Sequence, residues 1–401
     1  MPTGAALYPN PPELSARAAL MIDVETGTVL YERNADEAIP PASLTKVAGM
    51  YTVFEAVELG QAALNDTVEI PANAWARNMP PYSSLMFLGP GQEVTLEELL
   101  YGLAILSGND AAVAVATHVS GGERQFVARM NHAMRRLGLE QTRFVEAAGL
   151  SAENTTTARE FTRFLYAYLQ RRPDALTRFH ALPEYSYPLE HNRTPDNGEP
   201  TITQANRNVL LREYDGADGI KTGYIPASRY NLAFTAARDG RRLLGVLLGV
   251  PGDNHIEGGR ERARQAAALL DYGFDKFTNR EIGAPDLGHL TVWFGTAREV
   301  AVRADGHDVV TLPRGLLADL EGEVILPREH EAPLTSGTRI GELRYTVNGE
   351  LLHVRSLYAA ESVDRGSLPR VLWDHIRRFF RRLGTLFAKP PLLGHQLPVV
   401  D

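Results

Sequence analysis

The chain of 401 residues contains no cysteine. That absence removes disulfides, thiol nucleophiles, zinc–thiolate sites and iron–sulfur clusters together. It leaves the compartment open, although a cysteine-free chain is at ease in an oxidising one. Long apolar runs are missing too, so no segment reads as a membrane span. Residues Met1–Arg17, with Pro2, Pro9, Pro11 and Pro12, lack the apolar centre of a signal peptide, so an exported protein would be met here in its mature form. Nor is there an overall basic balance: the formal net charge of −8 argues against a generic nucleic-acid binder. The 11 histidines are scattered without HExxH or similar ligand spacing, so no metal or other cofactor is expected.

With 44% hydrophobic and 22% charged residues, the chain has ordinary globular composition and enough length for two domains. Ala18–Val24 and Thr28–Glu32 are apolar runs around Glu25-Thr26-Gly27, a β-hairpin pattern. After Pro40-Pro41, apolar residues recur at Val47, Met50, Phe54 and Val57 before Gly60, which is helical spacing with a stop. Thr95 and Glu98 make a capping box ahead of Leu96–Leu103, and Ala111–Val119 is a small-residue helix suited to burial. Asn231–Ala236 and Leu243–Val250 flank Asp239-Gly240 as a second hairpin, and Arg260–Phe274 reads as a helix. Strands, then helices, then strands predict an α+β fold: a mainly antiparallel sheet holding an inserted helical cluster. Glu281–Gly288 reads as a linker, and beyond it Leu290–Phe294, Glu299–Arg303, Val309–Leu312, Gly322–Leu326 and Ile340–Tyr358 predict a small all-β domain, the last run turning at Asn348-Gly349.

Three short motifs carry chemistry. In Ser43-Leu44-Thr45-Lys46 the three-residue spacing puts both side chains on one helix face. A serine hydroxyl becomes a nucleophile when a neighbour takes its proton, and a lysine can do so where burial and other positive charge keep it partly neutral. The helix N-terminus adds positive charge where an oxyanion would form. Alone, the motif also fits an N-cap serine followed by a solvated lysine. Ser107-Gly108-Asn109 alone fits a turn with a cap, and Lys221-Thr222-Gly223 a strand end. Together they follow in order, separated by about 60 and then about 110 residues, as in penicillin-binding proteins and class A β-lactamases.

With the surrounding stretches Ser83-Ser84-Leu85-Met86-Phe87, Asn206-Arg207-Asn208, Asp218-Gly219-Ile220 and Tyr272-Gly273-Phe274, the chain resembles the low-molecular-mass penicillin-binding proteins of the D-alanyl-D-alanine carboxypeptidase family. The resemblance implies a penicillin-binding/β-lactamase-like transpeptidase fold at residues 18–283, after an N-terminal extension over 1–17. It implies Ser43 as acylated nucleophile, Lys46 as general base, Ser107 as proton relay, Asn109 as holder of the substrate amide and Lys221 as nearby positive charge. Thr222 and an arginine, Arg262 ahead of Arg207, would bind the terminal carboxylate. The amides of Ser43 and of Tyr224, after Gly223, would form the oxyanion hole, and Ser84 would line the substrate site. The implied partners are peptidoglycan stem peptides ending in D-Ala-D-Ala, with β-lactams as covalent inhibitors, in the periplasm. A class A β-lactamase shares the motifs but needs a glutamate followed four residues on by asparagine, a spacing absent between Glu140 and Glu199. A D,D-endopeptidase and a non-catalytic wall-binding scaffold are the other readings.

After the β-domain, placed at 284–362, residues 366–389 form an amphipathic helix before a proline-bearing tail at 390–401. Val371, Leu372, Trp373, Ile376, Phe379, Phe380, Leu383, Leu386 and Phe387 read as one face. Arg370, Arg377, Arg378, Arg381 and Arg382 occupy the other, with Asp374 and His375. Apolar residues opposite arginines are the pattern of a helix lying in a membrane interface, and the anchor would hold the protein to the outer face of the cytoplasmic membrane.

Overall fold

The N-terminal apolar runs pair as an antiparallel hairpin, Ala18–Asp23 with Val29–Arg33. Gly27 turns it at φ 70°, a conformation that costs glycine little. A computed structural model describes residues 8–193, 200–281, 287–305 and 309–385. In it the hairpin is extended by three strands from far along the chain. Arg241–Val250 lies beside Ala18–Asp23, followed by Arg229–Arg238 and then Ala217–Ile225 at the edge, every pair antiparallel. Leu20 and Ile22 join the core made with the inserted helices. Met21 points to the other face, where the helix His255–Lys276 comes so close that a Cβ on Gly273 would lie 2.5 Å from Leu243 and 2.9 Å from Met21. Both faces are covered, which is why these strands read as apolar runs rather than alternating ones.

Between the two halves of the sheet runs the helical cluster. The helix Thr45–Glu58 buries all but a few of its residues, and Phe54 on it meets Tyr168 and Phe179 at ring-centroid distances of 6.2 and 6.0 Å. The Thr95–Glu98 capping box is present in both directions and starts Leu96–Tyr101, which passes through a wide turn at Gly102–Leu106 into Ser107. Asn109–Ser120 follows as a buried helix.

The chain divides into two units, Pro11–Asp275 and the segment from Lys276 onward joined by the N-terminal residues up to Asn10. The sequence places the boundary between 283 and 284; Phe277–Glu281, just before it, pairs antiparallel with Val309–Pro313 in the second unit. In that unit Leu320–Ile325, Arg339–Val347, Glu350–Ala359, Glu299–Ala304, His289–Trp293 and His330–Glu331 form a six-stranded sheet in that order, over a core containing Leu343, Tyr345 and Leu357. Residues 1–7 of the expected extension, 282–286 of the expected linker, 386–389 of the expected anchor helix and the tail 390–401 lie outside the described residues.

The C-terminal helix spans Leu368–Thr385, and its rotation corrects the expected polar face. Asp374 is buried and accepts the backbone N–H of Phe294 at 3.0 Å. His375 stacks on the Phe294 ring, and Arg378 donates to Glu329 at 2.7 Å and to Glu331 at 2.5 Å. These residues face the β unit because it offers a free N–H and two carboxylates there. Leu368, Leu372, Trp373, Ile376, Phe379 and Phe380 are left exposed. Among the described residues no helix is long and apolar enough to cross a membrane.

Phe54→Ala removes a fully buried ring from the inserted cluster and should cost about 3–5 kcal/mol. Urea unfolding should show a lower midpoint with an unchanged slope.

Candidate active site

The dipeptide Pro40-Pro41 leads into a 3₁₀ turn, Ala42–Leu44, which runs straight into the helix Thr45–Glu58. Ser43 thus sits one turn before Lys46. The ammonium nitrogen of Lys46 lies 3.2 Å from Ser43 Oγ, 2.8 Å from Asn109 Oδ1 and 2.5 Å from the carbonyl of Ala148. The side chain is 1% exposed. Burial brings its pKa down to about 7, helped by the Arg207 cation and opposed by the carboxylates of Glu146 and Asp110.

Ser107 and Asn109 arrive on the turn after Gly102–Leu106. Ser107 takes φ 60° there, and the hydroxyl-bearing residue is 4% exposed. Asp110 fixes this corner. Fully buried, it accepts the N–H groups of Met86, Phe87, Leu88 and Ala111, while burial pushes its own carboxyl pKa up. The loop it gathers carries Ser84, whose carbonyl takes the Asn109 N–H and whose hydroxyl takes a hydrogen bond from Arg207, both at 2.8 Å.

Lys221, Thr222 and Gly223 lie on the edge strand Ala217–Ile225. A Cβ on Gly223 would fall 2.9 Å from the Pro41 carbonyl and 3.2 Å from the Ser43 nitrogen, so only glycine lets the strand come this near the serine. Lys221 donates to the Thr222 carbonyl at 3.0 Å. Its pKa is held well below the ordinary lysine range, first by burial and then by the Lys46, Arg207 and Arg262 cations. Tyr224 places its ring against Tyr230 and His255, with centroids 4.5 and 4.7 Å away.

Ser43, Ser84, Ser107, Asn109, Thr222, Gly223 and Tyr224 line one cleft of about 790 Å³, together with both candidate arginines. Arg262, on His255–Lys276, is not a solvated helix residue: it is buried and points at the carbonyls of Gly223, Asn231 and Arg207. Burial lowers its pKa to about 10 and lowers that of Arg207 as well. Lys46 and Lys221 do not line it but are buried against residues that do, Lys46 reaching Ser43 and Asn109 and Lys221 the Thr222 carbonyl. Every site residue named from the sequence therefore lines one cavity or touches a residue that does. The residues that sequence reasoning missed are Asp110, Glu146 and the Ala148 carbonyl. Asp110 directly follows the second motif and could have been suspected as a helix-start carboxylate; no spacing rule marks the other two.

The D-alanyl-D-alanine carboxypeptidase model matches residues 5–252, and the model of the penicillin-binding protein 5 C-terminal domain matches residues 281–365. The chain is similar to the D-alanyl-D-alanine carboxypeptidases DacC and DacA of Escherichia coli (strain K12). It is 34% identical to DacC over 94% of this chain and 92% of that one, and 32% identical to DacA over 93% and 90%. Among solved structures, penicillin-binding protein 5 from Haemophilus influenzae is similar with a TM-score of 0.79 and 29% identity, over 89% of this chain and 100% of that one. Fold, cleft and sequence together put this chain in the D-alanyl-D-alanine carboxypeptidase family, the low-molecular-mass penicillin-binding proteins with a serine-based site.

Asp110→Ala should strand several buried N–H groups and destabilise the protein by about 3 kcal/mol or more, with Asp110→Asn milder. Hydrogen exchange should show the amides of Met86–Leu88 losing protection first.

Proposed function

We propose that this chain removes the terminal D-alanine from stem peptides ending in D-Ala-D-Ala through an ester on Ser43. The observation that carries the assignment is the setting of Lys46, a buried amine in reach of one hydroxyl and two fixed oxygen acceptors. A neutral amine has two N–H donors and one lone pair. With the donors spent on Asn109 and Ala148, the lone pair is left for the Ser43 proton. Near neutral pH a pKa of about 7 leaves a useful fraction of Lys46 in that form.

Ser43 Oγ attacks the carbonyl between the last two D-alanines and passes its proton to Lys46. The oxyanion is met by the amides of Ser43 and Tyr224, at the junction of the 3₁₀ turn and the edge strand. Ser107 relays a proton to the departing amine, and D-alanine leaves. Lys46 then takes a proton from water, which hydrolyses the ester and frees Ser43. Thr222 with Arg207 and Arg262 receives the terminal carboxylate, Asn109 the peptide amide, and Ser84 lines the wall it shares with Arg207. A β-lactam offers an amide and a carboxylate at similar positions, so it acylates the same serine.

The β-lactamase alternative lacks support at its decisive group. The Glu146 carboxylate already accepts N–H groups from Ala148, Gly149 and Asn154 at 2.7–2.9 Å, so it is committed to its loop rather than to a hydrolytic water. In Ser43→Ala, both D-alanine release and covalent penicillin labelling should vanish by mass spectrometry; persistent labelling would overturn the assignment. The native protein with excess penicillin should give a burst and then stall.

The C-terminal helix we assign to a membrane surface, on the extracytoplasmic side where peptidoglycan lies. Support comes from the exposed row Leu368, Leu372, Trp373, Ile376, Phe379 and Phe380, flanked by the exposed Arg377. Deleting residues 366–401 should abolish flotation with anionic vesicles while leaving turnover of a soluble peptide unchanged; flotation that survives the deletion would refute the anchor.

A further inference from the structure

The Ala148 carbonyl that receives Lys46 belongs to residues 144–154, between the helices Glu123–Arg136 and Ala158–Arg171. This loop has no helix or ladder of its own, and a single bridge between Arg143 and Thr155 closes its base. Asn131 holds Phe144 and the Glu123 carboxylate takes the Ala147 N–H at 3.1 Å, but the turn beyond is gathered by one carboxylate. Glu146 accepts the N–H of Ala148 at 2.7 Å, of Gly149 at 2.9 Å and of Ser151 at 3.3 Å, and the side-chain amide of Asn154 at 2.7 Å. Asn154 is fully buried; its oxygen takes the Val145 N–H, and its amide nitrogen reaches the Thr45 hydroxyl at 3.3 Å, inside the first motif. Gly149, at φ 80°, presses on the nucleophile turn so closely that a Cβ would lie 2.0 Å from the Ala42 carbonyl. The loop therefore has no slack: where Glu146 holds it, the carbonyl before Gly149 points at the lysine.

We propose that Glu146 is a positioning residue for acylation, a carboxylate clamp that holds the Ala148 carbonyl on Lys46 and so aims the lone pair of the amine at Ser43. The inference rests on the roles proposed above for Ser43 and Lys46. It deepens them by giving the base a structural partner that touches neither substrate nor the reacting atoms.

The clamp also has an electrostatic consequence. The charged groups around Lys46 are Glu146 and Asp110, which favour its ammonium form, and Arg207 and Lys221, which oppose it. Removing the Glu146 charge must make the ammonium easier to deprotonate. The limb of the acylation profile that rises with pH as Lys46 becomes neutral then moves to lower pH. A residue that merely supports the fold would leave that limb where it was.

The test is the second-order rate of labelling by a fluorescent penicillin, between about pH 5 and pH 9, for the native protein, Glu146→Gln and Glu146→Asp, with thermal unfolding of each. The native rate should rise with a midpoint near 7. Glu146→Gln keeps the reach but loses the charge and one acceptor, so its plateau should fall by about tenfold or more. Its midpoint should drop by about one pH unit. Glu146→Asp keeps the charge but not the reach, so its plateau should fall with the midpoint close to native. A Glu146→Gln profile identical to native, or one lowered with its midpoint unmoved, overturns the proposal. If Glu146→Gln does not fold, an undiminished plateau in Glu146→Asp does so instead. Peptide mapping of the native adduct separates the two levels. A label away from Ser43 overturns the nucleophile assignment and this inference with it, whereas a label on Ser43 with variants indifferent to pH overturns the inference alone.

Discussion

Taking the amine of Lys46 out of water is the constraint on which the rest of the site depends. An exposed lysine holds its proton at neutral pH and could not deprotonate a serine. Burial beneath the cleft alters that, and everything around the side chain limits the cost. The Asn109 and Ala148 oxygens satisfy its hydrogens, while Glu146 and Asp110 keep it from losing its charge altogether. The fold supplies these partners from four separate stretches. The nucleophile turn sits at the head of one buried helix and Asn109 at the head of another. A loop of irregular backbone brings the carbonyl, and the edge strand brings the second lysine. A five-stranded sheet, in which the N-terminal hairpin lies beside three strands from residues 217–250, holds these stretches at fixed separations.

Much of this was legible in the sequence because its signals are local. The hairpins at Glu25-Thr26-Gly27 and Asp239-Gly240, the Thr95–Glu98 capping box and the helical spacing from Val47 to Val57 each depend on a few adjacent residues, and all four elements form. The three motifs were readable for the same reason. Another clue lay in residue choice: the lysines are Lys46, Lys221, Lys276 and Lys389, although lysine and arginine together number 41. Arginine cannot give up its proton in a protein, so a chain that otherwise prefers it has reason to keep lysine where an amine must titrate.

What the sequence hid is non-local. Glu146 looks like any loop glutamate, since most of its donors are backbone N–H groups that leave no trace in residue identity. Phe277–Glu281 reads as the end of the first domain until its partner strand, some thirty residues on, is seen. The C-terminal helix was recognisable by its period, but which side it turns toward the β unit is decided by Asp374 meeting one backbone N–H and Arg378 meeting two carboxylates. Periodicity sorts residues into polar and apolar; it does not say which polar residues are spent on the protein itself.

Four basic side chains gather around one cleft: Lys46, Lys221, Arg207 and Arg262 each lower another's hold on its proton or have it lowered by desolvation. An arriving carboxylate relieves that repulsion, and in doing so makes both amines more basic. Departure of D-alanine carries the anion away and restores the crowding, so Lys46 sheds its proton more readily once the ester stands alone. On the roles proposed for Arg207, Arg262 and Lys46, an occupied carboxylate pocket would act as a throttle on the base, tightening while the peptide is held and loosening when water must take its turn.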